Sequence, residues 1–243
     1  MDAESLLPAV DRAFELTSSA LRQWDDPHPP PDRLVADEEY SRVTDPGRWR
    51  IIGARVDAWL DALMAEGLAT VERGAAVDWE EPPGPIVTRT DLVRPTVAGG
   101  LPLVVGRTRI EAVEDAGIVL GVGLPAVPLV WIPDCGCDAC DSGSADVIDQ
   151  VDTWIGGIVR GELRHLVRPR RTITVIGSEV RRSSYSPELP TGDGWRWTVA
   201  PAGAEAAVLD GDLGLRPSAR IDIDAVLADP TGWREWSGPR WLA

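Results

Sequence analysis

Three cysteines fall within six consecutive positions, as Cys135, Cys137 and Cys140. This C-x-C-x-x-C spacing is compact, and Gly136 permits the tight backbone bend that it needs. Thiolate sulfur is a soft ligand that suits zinc and, less often, an iron–sulfur cluster. The spacing therefore predicts a metal site in residues 133–144, the cysteine loop, with zinc as the expected ion.

A tetrahedral zinc site needs a fourth ligand, because the chain has only 3 cysteines. The candidates are His28, His165, an aspartate and water. His28 lies on a proline-rich loop between acidic residues, which suits an exposed ligand. The alternation of residues 162–168 places His165 on the apolar face of a strand, where a lone histidine is more often a core residue. We therefore predict His28 as the fourth ligand.

The cysteines have two other interpretations that the sequence leaves open. Clustered thiols can be redox-active, and reduced cysteines can also be inert packing residues. Asp134, Asp138 and Asp141 place negative charge beside the sulfurs, which raises the pKa of a thiol unless a metal is bound. If a metal is bound, a structural role is favoured, because three thiolates and one imidazole leave no open position for a substrate.

The elements that must position these residues follow from the apolar periodicity. Spacings of three and four residues predict helices over 3–22, from Asp45 to a stop at Gly67, and over 145–160. Segments rich in Val, Ile and Thr predict strands over 69–78, 86–97, 102–111, 117–132, 162–168 and 171–177. Short connections favour antiparallel pairing. The predicted class is α+β, a mostly antiparallel sheet packed against about three helices, with one more short helix within 222–242.

Length and hydrophobicity predict the domain organisation and the compartment. The chain has 243 residues, of which 44% are hydrophobic, enough for one large core or two small ones. We predict a single α+β domain over 1–243, with 200–243 as a candidate for a loosely attached C-terminal segment. Asp2 and Glu4 stand where a signal peptide needs positive charge, and the apolar stretch 117–132 is too short to span a bilayer. These features predict a cytoplasmic protein that does not enter a membrane.

The charge of the chain argues against several partners and chemistries. There are 24 basic residues, every one an arginine, against 39 acidic residues, and the net charge is −15. This charge disfavours nucleic-acid binding, because it repels phosphate backbones. Without lysine the chain can form neither a Schiff base nor a P-loop. The sequence also lacks the common hydrolase, metalloprotease and dinucleotide-binding motifs, so it assigns no substrate, partner or catalytic residue.

Three blocks of the sequence carry a resemblance to a known family. They are DPHP at 26–29, EEYSRVTDP at 38–46 and PDCGCDACDSGS at 133–144. Together they resemble an uncharacterised family of actinobacterial proteins classed as a domain of unknown function, and the likeness covers most of the chain. The resemblance implies no activity and no catalytic residues. It fits the high-GC coding bias that the absence of lysine and asparagine indicates.

We interpret the chain as an intracellular accessory or interaction protein in which the cysteine loop is a structural zinc site. One alternative is a metal-assisted enzyme whose site lies between the loop from His28 to Tyr40 and the cysteine loop. Another alternative is a thiol redox protein. The sequence does not decide whether the chain is an enzyme.

Overall fold

The computed structural model describes residues 6–29, 35–169, 171–178, 180–185 and 221–242. The chain divides into two compact units, Met1–Arg160 with Pro239–Ala243, and Gly161–Gly238. Both units combine helical segments with antiparallel strands, so the α+β class predicted from the sequence is confirmed.

The first unit contains the helices α1 (Leu7–Thr17), α2 (Arg50–Ala65) and α3 (Ser144–Val159), and 3₁₀ helices at Asp37–Ser41, Pro46–Trp49 and Asp138–Cys140. Its strands are β1 (Ala69–Arg73), β2 (Val87–Pro95), β3 (Leu103–Ile110), β4 (Val113–Val122) and β5 (Val127–Ile132). Each strand pairs antiparallel with the next, so the sheet order follows the chain. Short connections between the strands permit this pairing without a crossover.

Several boundaries differ from the sequence prediction: α1 ends at Thr17 and β1 at Arg73, both before the predicted ends at 22 and 78. The segment 117–132, predicted as one stretch of strand, is divided into β4 and β5 by a turn in which Gly123 has a φ of 84°. Glycine adopts this conformation without steric cost. Asp45 caps a 3₁₀ helix rather than α2, which starts at Arg50. The carboxylate of Asp45 accepts a hydrogen bond from the Gly47 amide and so satisfies a free donor of this first turn.

Helix α2 is the central helix of the first unit. It contacts α1, α3 and the strands β1 and β4. Of its 16 residues, 11 are buried, because its apolar residues cover more than one face of the helix. Among the helices of the described residues, none has the length and apolar character that crossing a membrane requires.

A buried arginine connects α2 to the sheet. Arg107 on β3 is 1% exposed, and its Nε donates to the carboxylate of Asp91 on β2 at 3.0 Å. Its two other nitrogens donate to the carbonyl of Gly53 at 3.0 Å and to the carboxylate of Asp57 at 2.7 Å, both on α2. Buried charges are tolerated only when they are paired and hydrogen-bonded, so these contacts fix α2 over the sheet.

The opposite face of the sheet is covered by Trp79. Neighbouring strand residues point to opposite faces, so Gly106 faces away from α2 while Arg107 faces it. The Trp79 ring lies over two glycines: a Cβ would lie 3.3 Å from the ring at Gly106 and 2.6 Å from it at Gly121. The absence of side chains at these positions therefore makes room for the indole, which packs on Leu92, Val104 and Ala126.

In its described residues, the second unit consists of a four-stranded sheet and one short helix. Its strands are β6 (Leu163–Arg168), β7 (Arg171–Ile176), β8 (Val180–Tyr185) and β9 (Arg234–Ser237), in the antiparallel order β8-β7-β6-β9. The short helix predicted within 222–242 is α4 (Ile223–Ala228). Its apolar side chains pack on the buried residues Leu166, Ile173 and Val175 of the sheet.

The chain end returns to the first unit. Trp241 and Leu242 are 3% and 4% exposed, and the amide of Trp241 donates to the carbonyl of Val159 at the end of α3. Residues 200–220 of the segment that was predicted to be loosely attached lie outside the described residues. The single domain over 1–243 stays a prediction.

We expect Gly121→Ala to lower the free energy of unfolding by about 1–3 kcal/mol, the usual cost of overpacking a core. The new methyl group would lie 2.9 Å from the carbonyl of Val127 and closer still to Trp79, and backbone cannot move aside cheaply. Urea unfolding followed by circular dichroism measures the change. Gly47→Ala is the matched control, because its methyl group would meet only the Asp45 carboxylate at 3.3 Å. Equal stability of the two variants would contradict this packing.

Candidate metal centre

The three cysteine sulfurs converge on one point in space. All three Sγ atoms lie within 4.8 Å of one another, and those of Cys135 and Cys137 are 3.1 Å apart. Cys137 is buried, whereas Cys135 and Cys140 are exposed. A zinc–sulfur bond is about 2.3 Å long, so two sulfurs on one ion are at most about 4.6 Å apart. Small side-chain rotations would therefore bring the three sulfurs to one ion.

The thiols differ in how readily they lose a proton. Partial burial of the thiol raises the pKa of Cys135. Partial burial also raises the pKa of Cys140, which reaches about 12 with the added effect of the hydrogen bond and charge of Cys137. Burial also opposes ionisation of Cys137, but hydrogen bonds from the other two thiols and from the amides of Ala139 and Cys140 outweigh it, so the pKa falls. Cys137 is therefore the thiol that loses its proton most readily, and a bound cation would favour ionisation of all three.

Asp138 fixes the middle of the cysteine loop. Its carboxylate is 8% exposed and accepts hydrogen bonds from the Thr44 amide at 2.9 Å, the Thr44 hydroxyl and the Arg42 guanidinium at 2.7 Å. The Asp138 amide donates in turn to the carbonyl of Arg42. Burial acts to raise the pKa of Asp138, but these hydrogen bonds and the Arg42 charge lower it to about 2. The loop is thereby held against residues 42–44.

Asp141 fixes the end of the loop in the same way. Its carboxylate is 2% exposed and accepts a hydrogen bond from the Trp24 indole at 2.9 Å and another from the Gly143 amide. The Arg48 guanidinium lies 2.9 Å from its second oxygen. Arg48 also lies over the rings of Trp24 and Trp49, at 5.5 and 5.3 Å from their centroids. A buried carboxylate is thus matched by a cation that two aromatic rings hold in place.

The start of α3 closes the loop onto the N-terminal segment. Ser144 is the first residue of this helix, and its hydroxyl exchanges hydrogen bonds with the backbone of Trp24. Gly143 takes the cap position with a φ of 86°. A Cβ at Gly143 would lie 2.7 Å from the amide nitrogen of Asp26, so the two backbones are in close contact.

His28 lies against the cysteine loop. Its Nδ1 is 3.3 Å from the carbonyl oxygen of Asp141, and its Nε2 is 3.6 Å from a carboxylate oxygen of Glu39. Among the described residues, however, the group of close ligand atoms consists of the three sulfurs and includes no imidazole or carboxylate. The predicted His28 loop and the cysteine loop are therefore in contact, while ligation by His28 stays a prediction.

His165 is a core residue of the second unit. It is 2% exposed on β6, and its Nδ1 lies 2.8 Å from the hydroxyl of Thr174. Its ring lies 5.7 Å from that of Trp236. Burial lowers the pKa of His165 to about 4, so the imidazole is neutral near pH 7. These contacts match the core histidine that the strand alternation indicated.

The residues that hold the loop are not evident from the sequence. Asp138 and Asp141 were expected to act as charges that disfavour thiolates, whereas both carboxylates form hydrogen bonds or ion pairs with Trp24, Thr44 and arginine side chains. The interacting residues are 93 to 117 positions apart, and no local pattern reveals such a pair. The blocks DPHP and EEYSRVTDP point to this region of the chain, because the first follows Trp24 and the second contains Arg42 and Thr44.

We expect Asp138→Asn to lower the free energy of unfolding at pH 7 by about 1.5–3 kcal/mol, the value of a hydrogen bond to a charged group. The folded pKa of about 2 lies below the ordinary 3.8, so the charge stabilises the fold above about pH 4 and this contribution is lost as the pH falls toward 2. The difference between wild type and variant in urea unfolding should therefore shrink over that range. The exposed Asp37→Asn serves as control; a difference that stays constant with pH would contradict the assignment.

Comparison with known proteins places the chain by its sequence. No curated protein and no solved structure gives a significant match. One family model does match, over residues 10–240, and its description is a family of unknown function. This agrees with the resemblance inferred from the sequence blocks. Because the match covers nearly the whole length, the chain belongs to the family of unknown function DUF6226.

Proposed function

We propose that the cysteine loop binds one zinc ion through Cys135, Cys137 and Cys140, and that this ion stabilises an accessory or interaction protein. The observation that carries the proposal is the convergence of three sulfurs within 4.8 Å in a loop held from both sides. Soft thiolate ligands at this density select zinc among the common divalent ions. A cluster of reduced thiols also fits the reducing cytoplasm, which we propose as the compartment.

The surroundings of the sulfurs support a structural role for the ion. The loop joins β5 to α3 and contains one 3₁₀ turn, so few backbone hydrogen bonds stabilise it by itself. Zinc would cross-link three of its residues. Metal binding to a site that is absent from the unfolded chain adds directly to the stability of the fold.

The fourth ligand has two candidates. One is His28, as predicted from the sequence, which would have to turn away from the carbonyl of Asp141 and the carboxylate of Glu39. The other is a donor from outside the chain. Three protein ligands with an external fourth are typical of zinc sites that react or exchange ligands, whereas closed sites with four are structural.

A metal-assisted enzyme is the second candidate function. The contact between the His28 loop and the cysteine loop favours it, because His28 and Glu39 form a buried pair, 8% and 7% exposed, and His28 contacts the cysteine loop at the Asp141 carbonyl. An imidazole next to a carboxylate is a common arrangement for moving protons. Activity in this candidate requires a metal with an open coordination position.

A thiol redox protein is the third candidate function. The Sγ atoms of Cys135 and Cys137 are 3.1 Å apart without a covalent bond, and the pKa of Cys137 is lowered by the hydrogen bonds that outweigh its burial. A thiolate beside a second thiol is the pairing that disulfide exchange needs. This candidate requires no metal.

Metal analysis of the protein, purified without a histidine tag and incubated with zinc, tests the proposal. We expect about one zinc per chain, because the sulfurs form one site. Cys137→Ser should lose the ion, since it removes the central ligand. A chelator should lower the unfolding temperature of wild type to that of the variant.

The matched control is Ala139→Ser, which adds a hydroxyl to the same loop without removing a sulfur. It should keep the zinc and respond to the chelator as wild type does. A protein that binds no zinc and has the same unfolding temperature with and without it would refute the metal site. If its thiols then reacted rapidly with a disulfide reagent, the redox candidate would remain.

A further inference from the structure

We propose that the fourth ligand of this zinc comes from outside the chain, as water in the isolated protein and as a thiolate when a thiol is offered. The inference rests on the proposed zinc site and adds a binding activity to it. Thiol binding would replace the water: the thiol loses its proton to solvent, its sulfur bonds to zinc, and the water leaves. No electron is transferred in this exchange.

Asp138 and Asp141 of the cysteine loop already accept hydrogen bonds from other residues. Both oxygens of Asp138 accept hydrogen bonds from Thr44 and Arg42. One oxygen of Asp141 accepts from Trp24 and Gly143, and the other faces Arg48 at 2.9 Å. Turning either carboxylate toward the sulfurs would break these hydrogen bonds and take the acceptor away from their donors, which is unfavourable.

The imidazole of His28 is directed elsewhere. Its Nδ1 faces the carbonyl oxygen of Asp141, which can only accept, so Nδ1 carries the proton of this contact and Nε2 is the atom left for a metal. Nε2 lies 3.6 Å from the Glu39 carboxylate and outside the group of converging sulfurs. With 8% of the side chain exposed, a rotation toward the sulfurs would also disturb the packing around it.

An external donor can reach the sulfurs. Cys135 and Cys140 are exposed, so an ion bound to both lies at the surface. Three thiolates make a soft, electron-rich site, and such sites favour sulfur over oxygen for the remaining position. The ligand class is therefore a thiol, whether a small molecule or the cysteine of another polypeptide.

Cobalt substitution of the full chain tests the inference, because Co²⁺ takes the zinc geometry and its absorption counts the bound thiolates. The protein is loaded with Co²⁺ in a thiol-free buffer and titrated with 2-mercaptoethanol. We expect the sulfur-to-cobalt charge-transfer band to grow by about a third, from three thiolates to four, and to saturate at one thiol per cobalt. The visible bands should shift with it. His28→Gln, which can keep the contact with Asp141, should give the wild-type spectrum.

Other outcomes overturn the inference. A spectrum that ignores 2-mercaptoethanol but changes in His28→Gln means that His28 fills the fourth position. A spectrum that ignores both means that another group of the chain closes the site. Four thiolates before any addition, with a doubled mass in gel filtration, mean that a second copy of the chain, and not water, fills the fourth position in the isolated protein. Failure of the wild-type protein to bind Co²⁺ through three thiolates refutes the zinc site itself. Circular dichroism checks that His28→Gln is folded.

Discussion

The pairing of two buried carboxylates with distant donors is the constraint on which the candidate site depends. Asp138 and Asp141 are almost fully buried, and an ionised carboxylate is tolerated there only with its oxygens satisfied. The satisfying groups come from Trp24, Thr44 and two arginines, so the cysteine loop has one acceptable position on the first unit. The sulfurs face one another on a loop that these contacts hold at Asp138 and Asp141.

The same principle holds the core beneath α2. Arg107 and Asp91 are buried in the sheet, and the remaining donors of the guanidinium are satisfied by α2. Such pairs add little net stability compared with apolar residues of the same volume, but breaking one is costly. They therefore select one arrangement of helix and sheet over others. The first unit uses apolar burial for stability and charged pairs for register.

The sequence carried the parts of the structure that depend on short-range periodicity. The helices α2 and α3 and the strand regions of the first sheet were predicted from residue spacing alone. The turn at Gly123, which divides β4 from β5, was not, because the apolar stretch continues on both sides of it. The convergence of the three sulfurs was predicted because their spacing is local. The roles of Arg42 and Arg48 were not, since ion pairs between distant segments depend on the tertiary fold. His28 as the fourth ligand stays a prediction for the same reason.

The supports of the cysteine loop have a consequence for biosynthesis. The segment from Trp24 to Arg48 leaves the ribosome long before the loop, whose contacts with it span 90 to 120 positions. Contacts of such range are slow to form, because the entropy of closing a long loop must be overcome before they add stability. The residues that hold the cysteine loop are therefore synthesised before the thiols. The site can form only after strands β1 to β5 and the start of α3 have been synthesised.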